Sequence, residues 1–157
     1  MFQRREQPEQ VRVGWLRPGL FDDVQVQSVK DAITAAFDNG SQALILQMNT
    51  EGAIVSDDAM RDLLQTVADA PVAIGIWVGP SSGARDYGLP SQLFGVADVT
   101  AMVAGSRLGY TGELFTLEGG KTVDLGPNGD QLKHASMSFA EARDAGILRL
   151  DTTDQGV

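Results

Sequence analysis

The sequence of 157 residues contains no cysteine, which removes disulfides, thiolate metal sites and cysteine nucleophiles together. Histidine is almost as scarce. With His134 alone, a multi-histidine zinc site is excluded, and any Ser-His-Asp triad would have to use that residue. Positive charge is also in short supply. Twelve Lys and Arg face 21 Asp and Glu, giving a net charge of −9 and leaving no basic surface to neutralise nucleic-acid phosphates or to bind an anionic membrane. No apolar run reaches the roughly 18 residues needed to span a bilayer, and the opening MFQRREQPEQ lacks the apolar region of a signal peptide. The expectations are therefore no cofactor, no metal and no nucleic-acid partner.

What remains is 43% hydrophobic and 21% charged residues, the composition of an ordinary globular protein. Its length suits one domain, read as a polar lead over 1–10, a domain over 11–150 and a tail over 151–157. Val11–Leu16 reads as a strand ended by Arg17-Pro18-Gly19. Val26, Val29, Ile33 and Phe37 place one face of a helix over Asp23–Asp38, stopped at Asn39-Gly40. Ala43–Leu46 reads as a central strand buried on both faces. Ser56 caps a second helix carrying Met60, Leu63, Leu64 and Val67, and Pro71 marks its exit. Strands follow at Val72–Val78 and Val99–Ala104, with a short helix after Pro90.

Three apolar strands starting near 43, 72 and 99, with helical segments between them, predict an α/β fold with a mainly parallel sheet. The stretch 109–134 predicts a hairpin or an ordered loop. Ser138-x-x-Glu141 predicts a capping box opening a helix that stops at Gly146, with a last strand over Ile147–Leu150.

In such sheets, loops at the carboxyl ends of strands form the site, which selects Asn49–Ala53 and Gly79–Ser91. Gly52-Ala53 reads either as a plain strand-to-helix turn or as exposed amides able to hold an oxyanion. Ser81, Ser82 and Ser91 are hydroxyls in a Gly-rich loop, ordinarily turn residues unless a base lies beside them. Arg85 and Asp86 can pair with each other or bind a peptide carboxylate or carbonyl. Lys121 and Lys133 read as solvated surface lysines or as bases, and His134 as a surface residue or a base. Trp15 and Trp77 sit in strand patterns as packing residues.

The order of segments adds to this. The runs from Ala43 to Ala53, Pro71 to Pro80, Ser82 to Arg85 and Ala101 to Gly109, then Ser138 to Ile147, resemble the ClpP-class serine protease domain of NfeD-type membrane proteins. The resemblance covers residues 11–150. It implies a ClpP/crotonase-like fold of repeated ββα units and, in active members, a Ser-Lys dyad with two backbone amides holding the oxyanion. It also implies a homo-oligomer, and a place on the extracytoplasmic side of a bacterial membrane, reached through parts outside this sequence.

Two departures stand out. Asn49-Thr50-Glu51-Gly52-Ala53 occupies the family's Asn/Asp-Thr-Pro-Gly-Gly, and Gly88 occupies the position of the catalytic serine. Ser91 stands three residues later, and the family's lysine has only Lys121 and Lys133 as counterparts. The resemblance thus implies a domain without its nucleophile that binds a peptide or protein segment, through Gly52, Ala53, Ser82, Arg85 and Leu89. A working serine hydrolase using Ser91, Ser82 or Ser81 with Lys121, Lys133 or His134 is the alternative. An acyl-CoA enzyme would use the same oxyanion geometry, but the acidic chain lacks cations for the CoA phosphates.

Overall fold

The computed structural model describes residues 10–149. The chain winds through a repeated strand–strand–helix unit. The first is β1 (Val11–Trp15), β2 (Gly19–Phe21) and α1 (Asp23–Asp38); the second is β3 (Ala43–Met48), β4 (Thr50–Ala53) and α2 (Asp57–Ala68). The third is β5 (Ala73–Val78), β6 (Arg85–Tyr87) and a 3-10 helix over Leu89–Gly95. Strands β7 (Val99–Met102) and β8 (Arg107–Gly109) begin a fourth, and β9 (Ser136–Ser138) leads into α3 (Phe139–Asp144).

The first strand of each unit joins one parallel sheet of order β1-β3-β5-β7, and the second joins another of order β2-β4-β6-β8-β9, in which only β9 runs antiparallel. These are the repeated ββα units that the resemblance implies. The helices start where the sequence supplies acceptors for their free N–H groups: Asp22 accepts from the Gln25 amide, and Ser56 from the Ala59 amide. Leu44, Leu46, Ile74 and Ile76 project from the first sheet onto Val29 and Ile33 of α1 and Leu63 and Leu64 of α2, all 5% exposed or less, to make the core.

Several expectations are corrected. Gly52 and Ala53 are residues of β4 rather than a strand-to-helix turn, and part of the 79–91 loop is β6. Strand β3 is not buried on both faces, because Ala43 and Ile45 on the side away from the helices are half-buried. Residues 147–149 form no strand; Ile147 packs in the core, and the Arg149 amide donates to Thr100 Oγ1 at 2.8 Å, while Leu150 lies outside the described residues. In 109–134 a small hairpin forms, closed by a bridge between Thr116 and Thr122.

Candidate functional site

The sheet of short strands places β4 beside β6, but the two share only the pair Thr50–Asp86. Beyond it β4 continues through Gly52 and Ala53, while β6 ends at Tyr87 and the chain turns at Gly88 into the 3-10 helix. Thr50 anchors the start: its hydroxyl lies 2.7 Å from Gly19 O and 3.0 Å from Gly52 O and shares its proton between them. Asn49 Oδ1 accepts from the Arg85 amide at 3.0 Å and ties the two strands together.

Gly88 adopts φ +84° and ψ −158°, a conformation that essentially only glycine tolerates. Its N–H donates to Gly109 O at 2.9 Å. A Cβ placed there would lie 3.2 Å from Gly52 Cα and 3.7 Å from Ala53 N, so position 88 faces the β4 amides. Leu89 opens the 3-10 helix, where a first-turn N–H has no partner within the helix. The structure therefore brings Gly52, Ala53, Gly88 and Leu89 to one place.

The other candidates lie elsewhere or are otherwise engaged. Ser91 is fully buried, and its hydroxyl is directed at Gly88 O, 2.6 Å away, with Gly109 O at 3.3 Å. It braces the turn rather than facing the β4 amides. Ser81 and Ser82 are exposed before β6 begins, at the opposite end of that strand from Gly88, with Ser82 against Gly105. Arg85 turns back on its own loop, donating to Gly83 O and Ala84 O at 3.0 Å each, with its guanidinium 6.0 Å from the Tyr87 ring centroid.

All three lysines of the chain are ion-paired. Lys30 pairs with Asp62, Lys121 with Asp69 at 3.2 Å, and Lys133 with Glu113 at 3.2 Å and Asp130 at 3.4 Å. Hydrogen bonds that the Lys133 ammonium donates to Glu113, then Asp130, hold it above the usual lysine pKa, the reverse of what a general base needs. His134 is exposed and makes no hydrogen bond among the described residues. Trp15 is 69% exposed rather than packed in a core, and Trp77 is half-buried.

Asp86 is what sequence reasoning missed. Arg85 and Asp86 do not pair with each other; Asp86 faces the interior between Thr50 and Leu108, is fully buried, and has no hydrogen-bond partner on either carboxylate oxygen among the described residues. Burial pushes its pKa up to about 8, so the carboxyl is neutral through most of the physiological range. Clefts of about 500 Å³ near Asn128, Ser136 and Glu141, and about 440 Å³ between α2 and Thr116–Glu118, do not include the Gly52–Gly88 juncture, whose residues Gly52, Ala53, Gly88 and Leu89 are half-buried. Among the described residues no group of His, Asp and Glu is placed to hold a metal, and no helix is long and apolar enough to cross a membrane.

No family model matches the chain, and no curated protein matches its sequence. Solved structures match its fold. A lysine-to-alanine mutant of the 1510-N membrane-bound stomatin-specific protease, in complex with a substrate peptide, superposes with a TM-score of 0.71 at 19% identity over 90% of this chain and 76% of that one. The 1510-N protease specific for a stomatin homolog from Pyrococcus horikoshii gives 0.68 at 17% identity, over 92% and 76%. An enoyl-CoA hydratase/isomerase family protein from Silicibacter pomeroyi gives 0.64 at 15%, over 94% and 75%. The chain has the ClpP/crotonase fold, and it resembles NfeD-type protease domains in particular.

Proposed function

We propose that this ClpP-fold domain binds an extended peptide or protein segment without cleaving it. Glycine at position 88 carries this reading, because a side chain there would face the Ala53 amide at 3.7 Å and glycine offers no nucleophile. The ion pairs of all three lysines and the inward hydroxyl of Ser91 support it, since neither leaves an activated serine at the juncture. Against the alternative hydrolase, none of Ser81, Ser82 and Ser91 hydrogen-bonds to Lys121, Lys133 or His134 among the described residues. Likeness to a protease mutant in complex with a substrate peptide favours a peptide ligand over an acyl-CoA, and the net charge of −9 points the same way.

The binding mode follows from the strands. Past Thr50, β4 has no ladder partner on its β6 side among the described residues, so an added strand would meet the amides of Ala53 and Leu89 there. The test is hydrogen exchange on the full chain with a pool of ten-residue peptides, followed by mass analysis of the peptides. Slowed exchange at Ala53 and Leu89 with every peptide intact is expected. Cleaved peptide, or a fluorophosphonate adduct lost on boiling, would overturn the non-catalytic reading; no protection at these amides would overturn the binding one.

A further inference from the structure

Among the described residues β1 is an edge strand, pairing with β3 on one side only. An open edge offers N–H and C=O groups to any further strand, and proteins usually blunt it with charge, proline or a bulge. β1 has neither proline nor bulge: it runs in unbroken register with β3 from Val11 to Trp15, with Arg12 as its one charge. Val11, Val13 and Trp15 share the face away from the helices and are 50%, 41% and 69% exposed. The registered rows continue that face through Ile45, Trp77 and Val99, all half-buried, without a charged residue, in a chain of net charge −9.

The other side of β1 carries opposite charges that do not meet. Arg12 and Asp31 of α1 both line a groove of about 350 Å³ whose floor includes Gly14 and Ala32. Asp31 accepts a hydrogen bond from Gln27, and neither Asp31 nor Arg12 makes an ion pair among the described residues.

We propose that β1 pairs antiparallel with β1 of a second copy of this chain, about a two-fold axis at Val13. The register is selected by charge and length. Centred on Val13, Val11 meets Trp15 of the copy, and Arg12 lies opposite Gly14, where no side chain blocks its path to Asp31 of the copy. Centring on Arg12 would oppose two guanidinium groups, and centring on Gly14 would set Val11 against the Arg17-Pro18 turn. The contact is self-complementary, as a two-fold interface requires, and it joins two four-stranded sheets into one of eight.

The absence of native cysteine makes the test clean. Opposite residues of an antiparallel pair lie about 4.5–5.5 Å apart between Cα atoms, within reach of a disulfide. Mild oxidation of full-length Val13→Cys is expected to give a covalent dimer, while Val24→Cys, exposed on α1, stays uncoupled. Sedimentation equilibrium of the unmodified chain should show reversible dimerisation. Arg12→Glu should raise the dissociation constant about fivefold, from two exposed ion pairs lost, with recovery in Arg12→Glu/Asp31→Arg. Circular dichroism establishes that each variant is folded. A chain monomeric at millimolar concentration, or a dimer in which folded Val13→Cys does not couple, overturns the proposal; a dimer dissociated only by Trp77→Glu would place the contact on the sheet face instead.

Discussion

Asp86 should make this protein lose stability as pH rises through neutrality. Its carboxyl is fully buried without a hydrogen-bond partner, and its pKa in the folded chain is about 8 against 3.8 for the free side chain. Below pH 4 the group is protonated in both states and has no effect. Between about 4 and 8 the unfolded chain releases the proton while the folded chain retains it, so the folded state binds more protons and unfolding becomes easier as pH rises. At about 1.4 kcal/mol per pH unit, four units amount to about 6 kcal/mol, levelling off above pH 8. That is comparable to the whole stability of a typical domain. Asp86→Asn keeps the shape and removes the titration. Urea unfolding of both proteins from pH 4.5 to 9, followed by near-ultraviolet circular dichroism, should show the variant gaining on the wild type across this window. Parallel curves would refute the reasoning, since they would mean that the folded protein holds Asp86 as a satisfied carboxylate.

Three further perturbations test the packing. Gly109→Ala places a Cβ 2.2 Å from Ala135 O at φ +152°, so it should cost more than about 3 kcal/mol in denaturant unfolding and loosen the Gly109 carbonyl that holds Gly88. Leu64→Ala removes a fully buried side chain of α2 and should lose about 2–5 kcal/mol by the same assay. Ser138→Ala breaks the capping box with Glu141 and should cost about 1 kcal/mol. The amide and hydroxyl of Ser138 hold Glu141 below the usual carboxylate range, so nuclear magnetic resonance titration should show its pKa rise in that variant.

Much of the framework was legible in the sequence because it repeats over long segments. The spacing of Val26, Val29 and Ile33, the capping residues Ser56 and Ser138, and the apolar runs of β3, β5 and β7 each specify an element locally. The strands of the second sheet were not legible. β2, β6, β8 and β9 have three residues each, too few to show an alternation, and β4 is Thr-Glu-Gly-Ala, a composition that reads as a turn.

The candidate site divides in the same way. Sequence by itself determined that no thiol exists, that three lysines and one histidine are the available nitrogen bases, and that glycine stands at position 88. Only the tertiary structure decided that every lysine is paired on the surface, that Ser91 points at Gly88 O, and that position 88 faces the Ala53 amide. Arg85-Asp86 looks like a surface ion pair in the sequence, yet the register Thr50–Asp86–Leu108 turns the acid inward and leaves the arginine on its own loop carbonyls. The physical reason is that composition and periodicity act over neighbouring residues, whereas the environment of a side chain is set by strands distant in sequence and brought together by the winding of the chain.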